Sequence, residues 1–188
     1  MTLHLTNARP TRADLLAAAG KRVPDLIAPA LRVLFCGINP GLYSAATRHH
    51  FARPGNRFWP VLHRAGFTPR VLQPWEEREL LGWGYGITNL VARATATAAE
   101  LERAEFVAGA RRLARKVQRY QPEWVAVVGI GAYRMAFGRP KAVVGPQGDR
   151  LGPGGARLWL LPQPSGLNAN HQMPELTKAF GELREESR

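Results

Sequence analysis

Five residues, Gly37-Ile38-Asn39-Pro40-Gly41, close an apolar run that begins at Leu31. Asn, Pro and Gly each favour a tight reversal for a separate reason, which accounts for the turn but not for its company. Two further stretches share its polar, glycine- or proline-bearing character. Arg93-Ala94-Thr95-Ala96-Thr97 follows Tyr85–Val91, and Pro162-Gln163-Pro164-Ser165-Gly166-Leu167-Asn168 follows Leu158–Leu161. Other chemistries fit less well. Gly129-Ile130-Gly131 lies between a strand and a helix as in dinucleotide folds, but the third glycine would fall at position 134, which is Arg134. No phosphate-loop motif is present. His49, His50, His63 and His171 match no metal-ligand spacing, so solvated or phosphate-contacting histidines are expected and no metal. Ser165 sits in Pro-Ser-Gly, not in a nucleophile elbow.

The elements that must position these loops can be read in order. Residues 1–30 form an irregular arm with a short helix, Thr11 to Ala19, capped by Thr11 and ended by Gly20. Leu31–Cys36 is a buried strand, and Asn56 caps a helix through Ala65 with Phe58, Val61 and Leu62 inward. Pro60 is tolerable there only near the first turn. Pro74 opens a short helix ending near Leu81, and Tyr85–Val91 is a second strand. Thr97 and Glu100 have capping-box spacing and open a long helix to about Tyr120. Trp124–Val128 is the third strand, Ala132–Phe137 a short helix, and Lys141–Gly155 a Gly/Pro-rich excursion. Leu158–Leu161 is the fourth strand, and a last helix carries Leu176, Phe180 and Leu183 at helical spacing.

Strands alternating with helices indicate an α/β protein with a mainly parallel sheet, here four-stranded. Ligands bind such sheets beyond the carboxyl ends of the strands, so the three loops fall on one rim and form a site. Residues 1–188 read as one domain, with no internal repeat and no separating linker. One cysteine, Cys36, excludes a disulfide framework. The N-terminus lacks an apolar signal segment and no run has the length of a membrane span, so the expected compartment is cytoplasmic.

Lys+Arg number 26 against 14 Asp+Glu, formally +12, and 22 of the 26 are arginine. Arginine in place of lysine can follow from genome composition, but the basic excess cannot. Guanidinium forks match phosphate oxygens and stack on bases, which points to a nucleic acid.

Five segments in order extend this reading. GINPG at 37–41, FARPGNRFWPVLHRAGF at 51–67, GYGITNLVARAT at 84–95, YQPEWVAVVG at 120–129 and LWLLPQPSGLN at 158–168 resemble the uracil-DNA glycosylase superfamily. Within it they are most similar to the mismatch-specific uracil/thymine branch. The resemblance implies a three-layer α/β/α sandwich, no cofactor or metal, a monomer, and double-stranded DNA carrying uracil or a related pyrimidine lesion as partner. It implies that Asn39 holds a water before the sugar carbon of a base taken out of the stack. An amide orients water but cannot accept its proton at neutral pH, so the bond must break largely dissociatively.

By the same resemblance Phe51 stacks on the flipped base, and backbone groups of Ile38 and Phe51 read its edge. Ser44 and Ala45 wall the pocket, and Asn89 hydrogen-bonds the water or the backbone. Ser165, Gly166, Leu167 and Asn168 enter the gap, with Leu167 as the wedge. Arg48, Arg53 and Arg57 contact phosphates. The sequence departs from the family at Gln163, commonly asparagine, and at Ala92, usually acidic; alanine can neither order water nor stabilise a cationic sugar. The implied activity is monofunctional excision of uracil, preferably opposite guanine, in base excision repair. A lesion-binding protein with weak turnover and a small α/β nucleotide-processing enzyme are the competing readings.

Overall fold

A computed structural model describes residues 9–152, 155–166 and 171–188. Its centre is a sheet of β1 (Val33–Gly37), β2 (Tyr85–Asn89), β3 (Trp124–Val128), β4 (Gly145–Leu151) and β5 (Ala156–Leu161), in the order β2-β1-β3-β5-β4. All neighbours are parallel except β4, which runs antiparallel to β5 on the edge. The helices are α1 (Arg12–Ala17), α2 (Leu42–Thr47), α3 (Phe58–Arg64), α4 (Arg103–Tyr120), α5 (Ile130–Phe137) and α6 (Met173–Glu186), with 3-10 turns at Pro74–Trp83 and Ala98–Glu100.

Period-2 alternation sends the strands' side chains to two separate cores. Val33 and Phe35 of β1 join Ala126, Val128, Trp159 and Leu161 beneath α3, α6 and the 74–83 turn. Phe35 meets Phe67 at 5.3 Å, Phe58 at 5.6 Å and Phe180 at 6.2 Å between ring centres. Leu34 and Cys36 face the other way, with Val125, Val127, Leu158 and Leu160 against Phe106, Leu113 and Val117 of α4 and Tyr133 of α5. The result is the expected three-layer α/β/α sandwich. Cys36 is fully buried in the central part of the sheet, and burial pushes its thiol up to about 12.

The four-stranded expectation is corrected to five. β4, within the segment read as an excursion, has the sequence GPQGDRL, and its middle five residues are not buried. It exists through pairing with β5, not through an apolar pattern, and a register shift between Gln147 and Arg150 breaks its ladder.

The long helix also starts later than its spacing predicts. Thr97 and Glu100 do form a capping box, but it closes only the three-residue turn Ala98–Glu100. Leu101 and Glu102 are extended, and Glu102 with Glu105 builds a second box that opens α4. α2, absent from the sequence reading, is too short to show helical periodicity. The arm is fastened to β2, since Leu26 and Ile87 exchange backbone hydrogen bonds of 2.9 and 2.8 Å. Among the described residues no helix is long and apolar enough to cross a membrane.

Candidate active site

β1 and β2 do not part where their ladder ends. Leu90 N–H donates to Gly37 O and Val91 N–H to Ile38 O, both at 2.9 Å, and Thr95 N–H reaches Pro40 O at 3.2 Å. The chain after β2 is thereby laid along the Asn-Pro-Gly turn. Asn39 uses the arrangement: its Nδ2 donates to Arg93 O at 3.0 Å and to Thr95 Oγ1 at 2.7 Å. Thr95 Oγ1 donates onward to Thr97 O at 2.8 Å, so it must accept from Asn39. A carbonyl can only accept, which fixes which end of the amide is which. With both amide protons engaged, Asn39 has only Oδ1 to offer a ligand, as an acceptor for a proton of water.

Gly37 is required beside this turn. A Cβ there would stand 2.6 Å from Asn89 Oδ1 and 3.3 Å from the tip of the Phe51 ring. Asn89 and Phe51 therefore converge on the end of β1. Phe51 is half-buried and stacks on Phe58 with centres 3.9 Å apart and planes 16° from parallel. One ring face is covered, and the other is what remains for a flat ligand. Phe51 has φ 50°, in the left-handed region, which costs on the order of 1–3 kcal/mol for a non-glycine residue and has to be held by its surroundings.

Groups from three neighbouring elements hold it. Glu77 Oε2 accepts from His50 N–H at 2.9 Å, and its Oε1 lies 3.2 Å from His49 Nδ1. Trp59 Nε1 donates to His50 O at 3.3 Å. Ser44 Oγ accepts from Ala52 N–H at 3.1 Å, closing the loop onto α2, where Ser44 and Ala45 are both buried. His50 is 2 % exposed, with Nε2 2.9 Å from Pro24 O and Nδ1 3.5 Å from Asn89 Nδ2. Nε2 therefore carries the proton and Nδ1 accepts, which orients the Asn89 amide as well.

Burial pulls the His50 pKa below its ordinary 6.5, against an opposing pull from Glu77. The unfolded chain takes up a proton below that value while the folded one resists, so folding stability should fall as pH drops through this range. Urea midpoints at about pH 7.5 and 5.5 should show this loss, and His50→Gln should flatten it. An equal slope in the variant would assign the loss to other groups.

Ile38 contributes little beyond backbone, because its side chain lies over Gly129, where a Cβ would sit 3.0 Å from it. Ala92 is half-buried between Val91, bound to Ile38, and Arg93, bound to Asn39. Arg93 in turn forks onto Glu105 at 2.7 and 2.9 Å. That fork and a hydrogen bond from Glu102 N–H hold the Glu105 carboxyl down to about 2. Arg93 and Thr95 are the positioning residues that sequence reasoning missed; the hydroxyl-rich RATAT stretch marked the place but not the partner.

Arg53 is exposed, and Arg48 ends α2 in the left-handed region. Arg57 is instead turned onto the second loop, donating to Ser165 O at 2.6 Å and His171 O at 2.9 Å, with its own N–H on Pro164 O at 2.9 Å. Gly166 presses on the 53–57 loop, since a Cβ there would lie 2.5 Å from Gly55 O. The two motif loops are thus joined at their bases. Leu167 and Asn168, expected at the wedge, lie outside the described residues.

An open groove of about 1490 Å³ shares Ala45, Arg48, Phe51 and Arg53 with this site but is not walled by Asn39. The polar convergence around Asn39 at the strand ends is therefore distinct from this groove. His63 Nδ1 lies 3.1 Å from Thr68 O, and among the described residues no group of three metal-ligating side chains gathers. A family model described as the Uracil DNA glycosylase superfamily matches residues 24–186.

Proposed function

We propose that this chain, which belongs to the uracil DNA glycosylase superfamily, removes uracil preferentially opposite guanine, by hydrolysis with a water held on Asn39 and without strand cleavage. Membership makes it a DNA glycosylase for uracil-type lesions; the mismatch preference and the chemistry are our reading. The observation that carries it is the engagement of Asn39 Nδ2 by Arg93 O and Thr95 Oγ1. The remaining oxygen can orient a water lone pair toward C1′ of the flipped nucleotide.

The C1′–N1 bond breaks first, its electron pair leaving with the uracil ring, and the water oxygen then bonds to C1′. The proton passes to the departing base or to solvent, because an amide cannot keep it. The free face of Phe51 stacks on the base, and the loop at 164–168 fills the gap in the duplex, with Leu167 as the wedge. Arg48 and Arg53 take flanking phosphates. No lysine lies in a motif position suited to Schiff-base chemistry.

Labelled duplexes with G·U or A·U pairs and single-stranded uracil, treated with alkali after incubation, test the reading. Alkali-dependent breakage, fastest for G·U, is expected; binding without breakage would favour the lesion-recognition alternative, to which Ala92 lends support.

The same position gives a second expected result. Ala92→Asp should raise single-turnover excision by roughly a hundredfold, the low end of what a placed acid or base contributes. It puts an anion beside the cationic sugar and an acceptor near the water. Ala92→Asn, of equal size, should not. Equal rates in all three proteins would remove position 92 from the mechanism.

A further inference from the structure

Arg111, Arg115 and Arg119 follow one another at four-residue spacing on α4, and all three are exposed. That spacing sets them on one stripe, about 12 Å long at 1.5 Å per residue. Among the described residues none has a carboxylate within ion-pair or hydrogen-bond reach. Arg119 has the Tyr120 ring 5.3 Å from its guanidinium carbon. The chain holds no acidic residue between Glu105 and Glu123.

Several other basic residues are instead paired with carboxylates. Arg70 pairs with Glu76 and Glu79, Arg93 with Glu105, Arg139 with Asp149 and Arg188 with Glu185. On α4 itself Arg112 turns to Leu90 O and Lys116 to Asp25. Like charges four apart on a helix repel. The negative end of the helix dipole compensates Arg119 but leaves Arg111 and Arg115 unopposed.

The stripe is remote from the site. α4 leaves β2 at the rim and returns to the start of β3, so its second half is the half away from the strands' carboxyl ends. It also belongs to the α4–α5 layer, whereas Phe51 and Phe58 belong to the opposite one.

We propose that this stripe is a second contact for duplex DNA, gripping phosphates of an undamaged segment while the rim holds the lesion. B-DNA carries about one charge per 1.7 Å of axis, so three guanidinium forks over this length meet several phosphates. With a persistence length of about 150 base pairs, one duplex cannot lie across the rim and also turn down the side of so small a protein without heavy bending. The stripe therefore takes a separate segment. No large apolar side chain of α4 is exposed, which disfavours a membrane surface, where basic helices also insert apolar groups. The inference rests on DNA as the partner and not on the excision chemistry.

The test compares Arg111→Ser/Arg115→Ser/Arg119→Ser with a triple of equal charge loss on the opposite layer, Arg64→Ser/Arg78→Ser/Lys178→Ser. Affinity for a short undamaged duplex is measured across a salt series. The stripe triple should reduce the log–log salt slope by about 2–3 and lower affinity at low salt by about tenfold or more. Its saturation stoichiometry should fall from two duplexes per chain to one. The opposite triple should change each far less, and a triple Arg→Lys protein should keep most of the binding. Single-turnover excision from a short G·U duplex at saturating protein, and thermal stability, should match the unsubstituted chain.

Equal losses from both triples, an unaltered slope, or loss of binding to phosphatidylserine vesicles instead of DNA would each overturn the proposal. Absence of excision by the unsubstituted chain would sink the proposed function alone, since the salt series still decides the stripe.

Discussion

Asn39→Ala should slow single-turnover excision from a G·U duplex by roughly one to three orders of magnitude, the range for loss of a positioned catalytic group. Duplex affinity should survive, because the arginines and the second loop are untouched. The measurement is the burst rate at saturating protein beside an equilibrium titration on the same duplex. Thr95→Val gives the companion reading: it keeps the shape, removes one acceptor of the Asn39 amide and leaves the carbonyl of Arg93 in place. A partial rate loss with unchanged stability would mark Thr95 as a positioning residue. An Asn39→Ala protein with the full rate would remove the oriented water from the mechanism.

Phe58→Ala should destabilise the fold by about 3–5 kcal/mol, as for a buried phenylalanine reduced to alanine. Its ring is fully buried and touches Phe35, Trp59 and Phe180 edge-on, besides the stack with Phe51. The expected signal is a large drop in the urea midpoint with little change in slope. Stability and site are separated by Phe58→Leu, which keeps most of the apolar volume and should cost less than about 1.5 kcal/mol. It still removes the flat surface under Phe51. Weaker substrate binding with a near-normal midpoint would assign Phe58 to the pocket floor, and parallel losses in both would assign it to packing alone.

The strands that could be read in advance are those buried on both faces. β1 and β3 are unbroken apolar runs between turn residues, and a parallel sheet covered by helices demands that pattern. β4 carries no such pattern because its middle is exposed, so only its partner strand reveals it. The start of α4 misled because a capping box marks where a helical turn begins, not how far it runs.

At the site, Asn39 was legible as a turn residue with unusual neighbours, since its chemistry is local to a short motif. Its partners were not, because Thr95 and Arg93 come from 56 and 54 residues away, across a sheet register that the chain does not spell out. The positive φ of Phe51 was equally hidden, being imposed by Glu77, Trp59 and Ser44 from three other elements. Arg57 read as a phosphate ligand from its charge, yet its guanidinium grips two carbonyls of the second loop.

Cys36 stands three residues before Asn39 on a strand hydrogen-bonded on both sides, fully buried and with its thiol pushed up to about 12. Only the thiolate reacts with alkylating reagents, so the native state offers them neither access nor the reactive form. Labelling must wait for an opening that frees β1 from both neighbours, which in a sheet of this depth approaches whole-domain unfolding. The chain thus contains one internal clock, wired to the strand that carries the Asn39 turn. Its ticking slows by the factor 1 + [L]/Kd when a ligand binds only the folded form, so alkylation rates report DNA occupancy without any label on the DNA.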